Sequence, residues 1–160
     1  MKKLSLLLLG AILACTLSVS AFAGNNINLS TGFTNNFWVN TVTFPLSTDL
    51  NLRTGFGLYV DSNRIYIPEM KVGLGFPTLW DLFLDFNFGD GGEIQNLLAN
   101  YDITLGKRFS FKLTDQVSVG AEIAIFRYGY YGTIAGITAN KHSFQFLSEI
   151  QPQISFNINM

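Results

Sequence analysis

His142, Ser143, Ser148 and Glu149 lie within one short stretch near the C-terminus. An imidazole, a hydroxyl and a carboxylate are the parts of a nucleophile, its base and an orienting group, and together they would serve acyl or ester transfer. For that they must converge on one face of the element that carries them. Alternation separates them instead: His142 and Ser148 share one parity, Ser143 and Glu149 the other. The loop GDGGE at 89–93 offers two carboxylates, but it lacks the ligand spacing of a calcium loop and reads as a turn. With a single histidine and a single cysteine, no metal site and no cofactor is expected.

Carboxylates also sit inside the apolar run WDLFLDFNF, residues 80–88. Trp80, Leu82, Leu84, Phe86 and Phe88 fall on even positions, while Asp81, Asp85 and Asn87 fall on odd ones; Phe83 alone breaks the pattern. Period two is the mark of a strand with one apolar and one polar face. The same pattern sets Leu52, Phe56 and Leu58 against Arg53, Gly55 and Gly57, and Val72 and Leu74 against Lys71 and Gly73. It sets Ile103, Leu105 and Phe109 against Asp102, Thr104 and Arg108, Val119 and Ile123 against Gly120 and Glu122, and Ile154 and Phe156 against Gln153 and Ser155. Turn residues divide these runs into eight strands, at 26–34, 36–46, 50–60, 64–76, 79–88, 97–113, 116–128 and 143–159. No stretch beyond the N-terminus has helical periodicity.

Residues 1–23 stand apart. Lys2 and Lys3 precede an apolar core that ends in Ala21-Phe22-Ala23, the order of a secretory signal peptide cleaved before Gly24. A cut before Cys15 with lipid attached there is the alternative, because the preceding Ile12-Leu13-Ala14 is similar to a bacterial lipobox. Residues 24–160 then form one domain without a disulfide. Charged residues make up only 13% of the chain, about half the usual share of a soluble domain, and 15 phenylalanines add to its greasiness. A mildly acidic chain without a basic cluster excludes nucleic acid as a partner.

The connections alternate in length. Those at 47–49, 77–78 and 114–116 are tight, whereas 89–96 and 129–141 are long. One end of an up-and-down sheet therefore carries tight turns and the other the long loops. Tyr59, Tyr66, Tyr101, Tyr128, Tyr130 and Tyr131 all fall toward the long-loop end and are read as an aromatic rim. With its signal peptide, its eight alternating runs and the terminal strand QPQISFNINM, the chain resembles the small eight-stranded outer-membrane β-barrels of Gram-negative bacteria (the OmpA/OmpX-like size class). That superfamily typically ends in Phe or Trp, where this chain has Met160. The resemblance implies an all-β, eight-stranded antiparallel transmembrane β-barrel in the bacterial outer membrane, with membrane lipid and the barrel-assembly machinery as partners.

The apolar faces carry Leu, Ile, Phe and Trp, the polar faces Gly, Ser, Thr and Asn. Small residues suit a narrow eight-stranded interior and bulky ones suit lipid. Arg53, Lys71, Asp81, Asp85, Asp102, Arg108, Glu122 and Glu149 are then expected inside, with Arg53 and Lys71 facing Asp85, Glu122 and Glu149 at mid-barrel. Such a network fills the lumen and holds register more readily than it conducts ions. The functional expectation is a non-enzymatic, porin-like barrel that serves envelope integrity or surface contact through its loops. The alternatives are a lipid A-modifying enzyme of the outer leaflet, as some barrels of this size are, and a soluble periplasmic lipocalin-like barrel around an apolar ligand. Pro45, Pro68 and Pro152 fall within expected strands. A bulge is expected at Pro68-Glu69, and an irregular seam beside Pro152.

Overall fold

The computed structural model describes residues 27–33, 38–60, 65–67, 69–89, 100–134 and 137–158. The expected signal peptide, Cys15 and the loop at 90–99 lie outside them. The described residues are all strand and turn: β1 (Ile27–Phe33), β2 (Trp38–Pro45), β3 (Asn51–Val60), β4 (Ile65–Tyr66), β5 (Met70–Phe76), β6 (Leu82–Phe88), β7 (Asn100–Lys112), β8 (Val117–Ile134) and β9 (Ile137–Ile158). Apart from β4 and β5, strands adjacent in the chain pair antiparallel, and β1 pairs with β9, so the sheet closes into a barrel. β4 and β5 both pair with β3 and are two pieces of one wall, which makes eight walls.

Period two explains why these segments are strands and also which way their side chains face. Lys71, Gly73 and Gly75 of β5, and Phe83, Asp85 and Asn87 of β6, are all buried. Their neighbours Leu74, Phe86, Leu105, Ile154 and Phe156 stand exposed on the outer surface. The distribution is the reverse of a water-soluble domain: among the described residues, fifteen buried ones are polar or charged and five are apolar.

Four departures from the alternation have local causes. The strand expected over 79–88 starts at Leu82, because Pro77–Asp81 form a turn with Leu79 N–H donating to the Phe76 carbonyl (3.1 Å). Trp80 and Asp81 adopt left-handed φ values of 57° and 56°, which end the extended run ahead of β6. In the broken wall, three residues (67–69) lie between Tyr66 and Met70 where β3 has only Gly57 and Leu58 opposite. The register thus gains the one residue that the expected bulge requires, and Pro68 itself lies outside the described residues. A second bulge inserts Ile125 into β8 between partners of Leu105 and Gly106, so the residues from Phe126 to Tyr131 change face. The fourth departure corrects a loop: most of 129–141 is the paired end of a long β8–β9 hairpin, with Ile134 opposite Ile137.

Among the described residues, this hairpin has the longest strands. Asn100, the first described residue of its wall, pairs with Tyr131, and β8 runs on to Ile134. On the other side, β1 pairs with β9 only from Ile27↔Ile158 to Gly32↔Gln153. Pairing stops one residue short of Pro152, whose missing N–H cannot extend the ladder. The irregular seam expected at Pro152 is this step, above which no described strand lies on the β1 side of β9. Pro45 is the last residue of β2, where a missing donor matters little.

Candidate functional site

Ion pairs in the lumen form two clusters. Nearer the tight turns, Arg53 of β3 donates from Nε to Asp85 Oδ1 (2.9 Å) and from Nη2 to Asp85 Oδ2 (3.1 Å). The same Nη2 reaches both carboxylate oxygens of Glu122 on β8 at 2.9 Å. One guanidinium therefore ties together walls that lie on different sides of the barrel. Lys71 Nζ stands 3.8 Å from Asp85 and Arg108 Nε 3.8 Å from Glu122. The Arg53, Asp85 and Glu122 side chains are only 3–5% exposed. Buried charge is tolerable when it is multiply paired in this way.

Phe83, the misfit of its run, belongs to this cluster. It points inward, and the Arg53 guanidinium carbon lies 4.3 Å from its ring centre. Room for the ring comes from Gly106 on the next wall, where a Cβ would collide with it. Gly106 is thus required by close approach rather than by backbone conformation.

The second cluster is nearer the long connections. Arg127 Nη2 donates to Asp102 (2.6 Å) and Nη1 to Glu149 (3.1 Å), with Glu69 at 3.9 Å. Asp102 also accepts from Asn87 Nδ2 (2.6 Å) and Thr104 Oγ1 (3.0 Å). This end is more open, with the Arg127 and Glu149 side chains 23% and 29% exposed.

Seven of the eight charges expected inside are on the lumen side, but they do not form one network. Glu149 joins Arg127 rather than Arg53. Asp81 does not project into the barrel: it is exposed in the turn, where its carbonyl accepts from Arg108 N–H (2.9 Å). Arg127 escapes the alternation because it follows the Ile125 bulge, and Glu69 because it lies in the irregular stretch 67–69. The adjacent apolar pair Ile125-Phe126 is the signal that could have shown the switch on β8.

The bulge also divides the tyrosine rim. Tyr128 and Tyr130 face outward with Tyr101, whose ring centre is 5.4 Å from that of Tyr130. Tyr131 takes the lumen parity beside buried Gly129. Tyr59 shares the parity of Arg53 and Gly57, and Tyr66 is its strand partner.

The residues that opened the chemical question do not assemble. His142 is outward and exposed, and its Nδ1 is 2.9 Å from the Tyr128 hydroxyl. Ser143 pairs with lumen-facing Gly129, Ser148 is exposed, and Glu149 is held by Arg127. No group of three or more metal-binding side chains occurs among the described residues. Comparison with family models, curated proteins and solved structures finds no match.

Proposed function

We propose that this chain is a small non-enzymatic outer-membrane barrel that serves envelope integrity or surface contact, with a lumen closed by its own charges. The observation that carries this reading is the inverted polarity: a core of paired Arg, Lys, Asp and Glu inside an outer surface of Leu, Ile, Phe and Trp. Such a surface is costly in water and favourable in hydrocarbon. The N-terminal segment supports export, and an exported barrel of this kind has membrane lipid and the assembly machinery as its partners.

A soluble ligand carrier needs an apolar cavity, whereas this lumen is lined by salt bridges. The lipid-modifying alternative needs a nucleophile beside a base, and His142 instead faces Tyr128 on the outer surface. Surface contact falls to the long β8–β9 hairpin, which is paired as far as Ile134↔Ile137 and carries exposed Lys141 opposite Tyr131.

Trypsin added to intact cells tests this directly. Cleavage should occur at Lys141, with Arg53, Lys71 and Arg108 protected inside the barrel. Protection of Lys141 until the outer membrane is broken would remove surface contact from the proposal.

A further inference from the structure

We infer that Arg108, Asn28, Asn157 and Ser155 form a latch that sets the register in which the first and last strands close the barrel. Among the described residues, every other pairing joins strands that follow one another along the chain, β3 and β5 through β4. There the connection limits how far two strands can slide. The β1–β9 seam has no such connection, since Asn28 and Asn157 meet across 129 residues. Side chains must choose its register.

The backbone excludes most alternatives. A slip of one residue would turn every side chain of β1 to the other face. Asn157 N–H donates to the Gln116 carbonyl (2.8 Å), so odd-numbered residues at this end of β9 turn their backbone groups to β8 and even-numbered ones turn theirs to β1. A slip of two that brings Thr31 opposite Pro152 would then ask for an N–H that proline lacks. The opposite slip meets no such bar. It would set Leu29 against Ile158 and Thr31 against Phe156, and each side chain would keep its face.

The latch opposes that slip. The same parity makes Asn28↔Asn157 and Ser30↔Ser155 non-hydrogen-bonded pairs, in which side chains stand closer together. Asn28 Nδ2 donates to Asn157 Oδ1 (2.6 Å). Arg108 Nη2 reaches in from β7 and donates to Asn28 Oδ1 (2.9 Å) and Ser155 Oγ (3.0 Å), one partner on each side of the seam. A slide of two residues would carry Asn28 about 7 Å along the strand, away from both of its partners. Closing register fixes the shear of a barrel, and with it the strand tilt and width. The latch therefore sets the lumen width at which Arg53 reaches both Asp85 and Glu122. This inference rests on side-chain geometry and is independent of where the barrel resides.

Disulfide formation reads the register in the full folded chain carrying Cys15→Ser, so that no other thiol competes. Thr31 and Ile154 are partners outside the latch, and cysteines at both report the native register. Thr31→Cys with Phe156→Cys reports the slipped one, because in the native register that pair is too far apart to bridge. With the latch intact, only the first pair should cross-link. Asn28→Ala keeps every lumen charge and should raise the slipped-to-native ratio about tenfold, for the loss of two hydrogen bonds, one of them to a guanidinium. Exchanging two residues, Asn28→Ser with Ser30→Asn, puts an asparagine opposite Asn157 only in the slipped register. The slipped cross-link should then become the stronger of the two. Side chains that only stabilise the seam would weaken the barrel in these variants without moving its register. A ratio in Asn28→Ala equal to the parent's, or a native cross-link that still dominates after the exchange, would overturn the inference.

Discussion

Arg53→Ala should cost about 3–5 kcal/mol of barrel stability, more than any other single change in the lumen. The size follows from what is left behind. Asp85 and Glu122 each accept two hydrogen-bonding contacts from this one guanidinium, and both are buried. Removing the cation strands two carboxylates in a space with little water, and it also removes the guanidinium from the Phe83 ring. Urea unfolding of the refolded barrel, followed by tryptophan fluorescence, measures the loss. The triple change Arg53→Met, Asp85→Leu, Glu122→Leu should recover most of it, since apolar groups of similar volume can replace a buried ionic cluster. A cost below about 1 kcal/mol for Arg53→Ala would mean that water solvates the two carboxylates and that the lumen is open.

The second large effect belongs to the other face. Leu84, in the middle of β6, lies between Leu74 and Leu105 in a row of outward leucines across three walls. If that row faces hydrocarbon, Leu84→Arg should cost about 2–4 kcal/mol in lipid vesicles, as a cation does at the bilayer midplane. Leu79→Arg, in the exposed turn at the barrel end, should cost no more than about 1 kcal/mol. Depth is the distinguishing variable. On a water-washed surface both substitutions would fall within about 0.5 kcal/mol of zero.

Most of the architecture is legible because strand alternation is local. The six residues Leu82, Leu84, Phe86, Leu105, Ile154 and Phe156 face outward as their parity requires, and Asp85, Asp102 and Glu122 face inward. What escapes is whatever breaks the count. Ile125 adds one residue to β8, and so Arg127 enters the lumen while Tyr131 leaves the rim. Trp80 and Asp81 keep perfect alternation in the sequence yet turn, because Pro77 ends β5 and the chain must reverse before Leu82. The stretch 129–141 looks like a loop from its glycines and its Asn140, but cross-strand pairing from Tyr131↔Lys141 onward extends it as a hairpin. Tertiary pairing overrides local propensity there.

The site is less legible than the fold for a different reason. Parity can name the inward charges but not their partners. Arg53 meets Asp85 across 32 residues and Glu122 across 69, distances over which only the closed sheet sets the pairing. Barrel closure also assigns Glu149 to Arg127, which the bulge had hidden. Phe83 is recognisable as an exception in the sequence, but its role needs Gly106 opposite and Arg53 above it.

The central claim is that the apolar outer surface of this closed barrel faces lipid. Fractionation of expressing cells, followed by gel electrophoresis in SDS with and without boiling, tests it most directly. The protein should remain in the outer-membrane pellet through a carbonate wash, and its unboiled band should migrate apart from the boiled one. Recovery in the soluble periplasmic fraction, with a single band under both conditions, would contradict the claim.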